Sequence, residues 1–153
     1  MGSNEEDLFG LASQVPANFH VLSLRAPNVM GQGLYAWFQF GVTPQGLRVI
    51  NEAQESASRQ QVAETVSAMA RELGVPPQRV VVGGFSQGGI MSLSLLLSKP
   101  QLMHAAMVLH GRLLPEVLPL MAPLAHMQGK QLWVSANTVR LGAKSVRAEL
   151  GLS

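Results

Sequence analysis

Apolar and polar positions follow two rhythms along this chain. Short β-branched or apolar runs at 20–24, 80–83, 105–110 and 131–135 read as strands. Between them lie stretches with a helical repeat. From about 51 to 73, Val62, Val66, Met69, Ala70 and Leu73 recur at helical spacing, with Arg59, Gln60, Glu64 and Arg71 largely on other faces. Gly74 stops that helix and Pro76-Pro77 prevents its resumption. A second helix is predicted over roughly 87–98, ending before Pro100. Asn4 is placed to cap a first helix, with Glu5, Glu6 and Asp7 at its positive end and Leu8, Phe9, Leu11 and Ala12 as its buried side. The glycine-rich stretch 28–50 reads as loop with a short strand near Ala36-Trp37-Phe38. Strands alternating with helices predict an α/β fold with a mostly parallel sheet. The tail 138–153 is expected to be an amphipathic end helix, with Val139, Ala143, Val146 and Leu150 on one face.

Composition sharpens this picture. A length of 153 residues predicts one domain with a sizeable core. Charged residues make up 13% of the chain against 47% hydrophobic, and the mean hydropathy is +0.20. That charged fraction is about half the usual ~25%, so the chain is expected either to carry buried interfaces, including contacts between copies of itself, or to be a fragment of something larger. The net charge is only +2 and no long Lys/Arg run exists, which argues against nucleic-acid binding. Zero cysteines remove disulfides, thiolate catalysis and cysteine metal sites. No His-x-x-x-His pair is present, so neither a metal nor a cofactor is expected. The acidic, polar start is unlike a signal peptide, and no apolar run approaches the ~20 residues of a membrane span. A cytoplasmic location is the expectation.

The chemistry concentrates at Gly84-Phe85-Ser86-Gln87-Gly88. An apolar strand, then G-x-S-x-G, then a helix former is the setting of a nucleophile elbow, whose sharp turn lifts a serine hydroxyl clear of the sheet. Ser86 is therefore the candidate nucleophile. The backbone N–H of Gln87, at the helix start, is the candidate oxyanion donor. A serine needs a base, and three histidines come after it: His104, His110 and His126. His110 ends a strand on the same sheet edge as Ser86, which makes it the candidate base. His20 starts a strand at the other edge. The sole aspartate is Asp7, and the glutamates after Ser86 are Glu116 and Glu149, so no acid–histidine pair is evident. Leu113, Leu114, Val117, Leu118, Leu120, Met121 and Met127 read either as an acyl-chain groove or as plain core.

Taken together, these stretches resemble the phospholipase/carboxylesterase family of α/β-hydrolases, which includes acyl-protein thioesterases. The resemblance is carried by Gly2-Ser3-Asn4-Glu5-Glu6-Asp7-Leu8, by Leu24-Arg25-Ala26-Pro27 with Tyr35-Ala36-Trp37-Phe38, by Gly84-Phe85-Ser86-Gln87-Gly88-Gly89, and by Leu132-Trp133-Val134-Ser135. It spans about residues 2–136 and implies a partial α/β-hydrolase domain over 1–153 with a divergent tail from 138. It implies hydrolysis of small esters or thioesters, some with an acyl chain, through a Ser86 acyl-enzyme. It also implies that the Met1 backbone N–H supplies the second oxyanion bond. The family's strand ending in His-Gly would precede Met1. Its Ser-His-Gly-x-x-Asp stretch is replaced here by Ser135-Ala136-Asn137-Thr138, and its catalytic histidine lies further on. The chain thus reads as the middle of such an enzyme. The rival reading is a non-catalytic remnant that binds an acyl ligand or self-associates through its sheet edges.

Overall fold

The computed structural model describes residues 2–135. The chain divides into two compact units that break between Ser58 and Arg59.

The first unit holds two antiparallel hairpins. Strand β1 (Asn28–Gly31) pairs with β2 (Leu34–Ala36), and β3 (Phe40–Val42) pairs with β4 (Arg48–Ile50). Both lie in the stretch read as loop from its glycines. Those glycines make the turns instead: Gly33 and Gly46 take φ of +71° and +80°, which a side chain resists. Asn28 Nδ2 donates to the carbonyls of Ala36 and Trp37 at 3.1 and 2.9 Å and closes the first hairpin. The expected strand at 20–24 pairs with nothing among the described residues. Its apolar run fits a strand, but a strand exists only as part of a ladder. The expected opening helix is also corrected. Asn4 Oδ1 does accept the Glu6 N–H at 2.8 Å, yet the next element is a 3-10 helix, Phe9–Gln14, with no buried residue. Leu8, Phe9 and Leu11 are exposed. Arg25 forms an ion pair with Glu5 and lies over the Tyr35 ring at 4.9 Å.

Helix α1 (Glu52–Glu72) matches its predicted span and runs through the break between the units. Its most buried positions are Glu55, Ser58, Arg59, Val62 and Ala63, so the buried stripe starts earlier and is more polar than the apolar repeat suggested. Arg59 sits inside it, and Leu73 is exposed. Ser58 Oγ donates to the Trp37 carbonyl at 2.5 Å, which explains how a hydroxyl is tolerated there.

The second unit is built on a three-stranded, all-parallel sheet in the order β5 (Val81–Phe85), β6 (Ala105–Leu109), β7 (Gln131–Val134). Helix α2 (Gln87–Ser98) connects β5 to β6 and packs on both. Ten of its residues are buried, which marks a helix covered on all sides. Leu95, Leu97, Met103, Val108, Leu114 and Val117 form the centre of this core. Two short 3-10 helices, Pro115–Leu120 and Leu124–Met127, lead to β7. Leu114 and Val117 are therefore core, while Leu120 is half exposed. The tail 138–153 lies outside the described residues. No described helix is long and apolar enough to cross a membrane.

Candidate active site

The site is made by the ends of the parallel strands. β5 delivers the chain to Ser86, and α2 starts at the next residue. The reversal is sharp. Ser86 has φ +52° and ψ −113°, a region a serine enters only under constraint. Such a conformation costs about 1–3 kcal/mol and survives where its surroundings over-determine it. The surroundings here are backbone. A Cβ on Gly84 would stand 2.4 Å from the Gly88 carbonyl carbon, and one on Gly89 would stand 2.9 Å from the Gly84 carbonyl oxygen. The elbow closes only because these positions lack side chains. The Ser86 N–H donates to the Leu109 carbonyl at 2.7 Å and ties the turn to the end of β6. The Ser86 carbonyl accepts the first helical bond, from Ile90 N–H at 3.0 Å.

Gln87 opens α2 and is buried. Its backbone N–H belongs to the helix's positive end, where first-turn amides point at whatever lies before the helix.

His110 lies one residue past β6, as Ser86 lies one past β5, and Phe85 is in register with Leu109. The two residues therefore cap neighbouring strands at one edge. His110 also has a positive φ, +53°; it and Ser86 are the two described residues other than glycine that do. The turn after it is tightly seated. A Cβ on Gly111 would meet Val108 Cγ1 at 2.6 Å and the Gly89 carbonyl carbon and Ile90 N at 3.0 Å. So the His110 turn presses against the first residues of α2, backbone on backbone. The His110 ring lies 5.1 Å from the Phe85 ring, tilted by 56°. Its backbone N–H donates to Ser135 Oγ at 3.0 Å. Among the described residues, no hydrogen bond joins the Ser86 hydroxyl to a histidine.

The other histidines are elsewhere. His104 precedes β6 at the opposite edge, where its N–H donates to Val80 at 2.8 Å. His126 is exposed in a connecting 3-10 helix, and His20 is exposed in the first unit. Met1, expected as a second oxyanion donor, lies outside the described residues. No group of His, Asp and Glu suited to a metal is found among the described residues. Glu116 Oε2 is buried with no hydrogen-bond partner among them.

The sequence reading gave no part in the site to two positions, Ser135 and Gly111, or to the contact between Phe85 and His110. One rule would have found Ser135. Ligand sites in open parallel sheets form outside the carboxyl ends of the strands. The residues just past β5, β6 and β7 are Ser86, His110 and Ser135.

The profile of the phospholipase/carboxylesterase family matches residues 16–123, well over half of the chain. A carboxylesterase from Bacillus cereus is similar in structure, with a TM-score of 0.72 and 24% identity, over 99% of this chain and 68% of that one. A carboxylesterase from Mesorhizobium loti matches at TM-score 0.70 and 19% identity, over the same shares. A variant of SOBER1 from Arabidopsis thaliana matches at 0.65 and 18% identity, over 99% of this chain and 77% of its own. At these identities the likeness establishes the fold, that of an α/β-hydrolase.

Proposed function

The chain belongs to the phospholipase/carboxylesterase family, and from that premise we propose that it is a serine-dependent hydrolase of carboxylic esters or thioesters. The observation that carries the reading is the conformation of Ser86, held at φ +52° between a parallel strand and the helix it starts. Strain of this kind needs a reason, and exposing a nucleophile above a sheet supplies one.

In the proposed reaction the Ser86 hydroxyl attacks the substrate carbonyl while its proton passes to a base. His110 is the described histidine that shares its edge and takes that role. The carbonyl oxygen gains negative charge and receives the Gln87 backbone N–H, supported by the positive end of α2. Collapse of the tetrahedral intermediate returns the proton to the leaving alcohol or thiol and leaves an acyl group on Ser86. Water, activated by the same base, then attacks the acyl carbonyl, releases the carboxylic acid and restores the serine. The half-buried Leu113, Leu118 and Met121 suit the walls of an acyl site.

Intact mass after treatment with a fluorophosphonate tests this. One adduct per chain, absent from Ser86→Ala, is the expected result. No adduct on folded protein would overturn the reading.

A second reading has its own support. One face of the β5–β6–β7 sheet leaves Val81, Phe85, Met107 and Trp133 between 38% and 51% exposed, whereas parallel sheets are ordinarily covered on both faces. A homo-oligomer that covers this face, without catalysis, is the alternative. Sedimentation of the unlabelled protein and of Trp133→Gln separates the two.

A further inference from the structure

The reactive edge holds a polar side chain that the proposed reaction leaves unused. Ser135 stands one residue beyond β7 and is partly buried. Its Oγ accepts the backbone N–H of His110 at 3.0 Å. Its own N–H donates to the Val108 carbonyl at 3.0 Å. On the other flank, Ser86 N–H donates to the Leu109 carbonyl at 2.7 Å. Three consecutive residues, 108 to 110, are thus pinned between the ends of β5 and β7. The pin at His110 is the one made by a side chain, so it depends on which residue occupies position 135.

That pin matters because of what His110 does with its backbone. A φ of +53° is not self-sustaining in a histidine and must be held from outside. Gly111 is held from below by its contact with Gly89 and Ile90. The His110 amide is held from the side by Ser135 Oγ. With both in place the imidazole is set beside Phe85, the residue before the nucleophile.

We infer that Ser135 is a positioning residue: its hydroxyl fixes the left-handed turn that presents the His110 imidazole at the edge where Ser86 reacts. This rests on the reading of Ser86 and His110 as the reacting pair. Without the hydroxyl the His110 amide loses its acceptor, the turn relaxes, and the ring leaves its place against Phe85.

Two readouts on the full chain test this together. The first is the second-order rate of fluorophosphonate labelling at Ser86. The second is the proton shift of the His110 ring, tracked in protein carrying ¹⁵N-histidine and assigned by loss of its signal in His110→Gln. Phe85→Leu gives the shift expected when the neighbouring ring current is lost. Ser135→Ala is expected to label about tenfold more slowly, since small misplacement of a reacting group is costly. Its His110 shift is expected to move toward that of Phe85→Leu. Ser135→Thr keeps the Oγ and is expected to restore both. A His110 shift unchanged in Ser135→Ala would overturn the inference, whatever the labelling rate. A lost shift with unchanged labelling would also overturn it, because His110 would then play no part in the reaction. A wild-type chain that takes no label at all would sink the proposed hydrolase, and the ring shift alone would still decide whether Ser135 holds His110.

Discussion

Gly84 and Gly111 do for the backbone what no other residue could. Each lies where a single Cβ would collide with main chain at 2.4 to 3.0 Å, and main chain cannot rotate aside. Gly84→Ala or Gly111→Ala is therefore expected to destabilise the fold by about 1–3 kcal/mol, the usual cost of forcing extra volume into packed structure. Urea unfolding of each variant checks this. Gly46→Ala is a useful contrast: nothing lies within 4 Å of its Cβ position, so its cost comes from its positive φ alone. Glu116 behaves in the opposite sense. Its Oε2 is buried with no partner among the described residues, so Glu116→Met is expected to leave stability unchanged or raise it by about 1 kcal/mol. Gly84 was legible from the motif around Ser86. Gly111 was not, because its neighbours Gly89 and Ile90 are about twenty residues away in sequence and meet it only in the fold.

Among the elements, α2 carries the second unit and was the most legible part of the chain. Its predicted span matches the observed Gln87–Ser98, because it starts at a forced turn and ends before a proline. Leu95 is fully buried within it, so Leu95→Ala is expected to cost about 2–5 kcal/mol in urea unfolding. The N-terminal segment is the converse. It shows capping residues in helical order, yet its apolar side chains find no cover and the turns tighten to a 3-10 helix. What fixes this segment is polar. The Arg25 guanidinium holds the Glu5 carboxyl below its ordinary range through a hydrogen bond, and the Ser3 hydroxyl and Asn4 N–H do the same for Asp7. A carboxyl with a lowered folded value contributes stability above its unfolded value, about 3.9–4.3, and loses it as pH falls through the folded value. The pair is only partly buried, with the Arg25 side chain largely in water, so salt should screen it. Carboxyl titration by NMR is expected to give a lowered Glu5 midpoint that returns toward normal in Arg25→Gln and at high salt.

At the scale of the whole molecule, α2 packs on the sheet of the second unit, and among the described residues Val81, Phe85, Met107 and Trp133 of that sheet stay exposed. Gly83, Met107 and Trp133 lie in one register row across the three strands, and the last two are exposed. A large apolar patch of this sort seeks cover from another surface. Trp133→Gln is expected to leave the unfolding midpoint nearly unchanged, since exposed positions contribute little, and to reduce self-association. Sedimentation velocity over a range of concentrations measures this. A low charge content pointed toward such a surface from the outset, but which face it occupies depends on strand register.

Sequence alone determined the α/β class, the span of α2, and the strand–turn–helix that holds Ser86. Each rests on contacts between near neighbours or on the steric limits of single residues, and these are written in local order. The tertiary structure decided the rest. It turned a glycine-rich loop into two hairpins, denied the 20–24 run a ladder partner among the described residues, and put Arg59 in a buried stripe. It also set Ser135 against His110 and Gly111 against α2. Those outcomes depend on which segments come together across tens of residues, and parallel pairing carries that information in the register of the sheet rather than in any one stretch of chain.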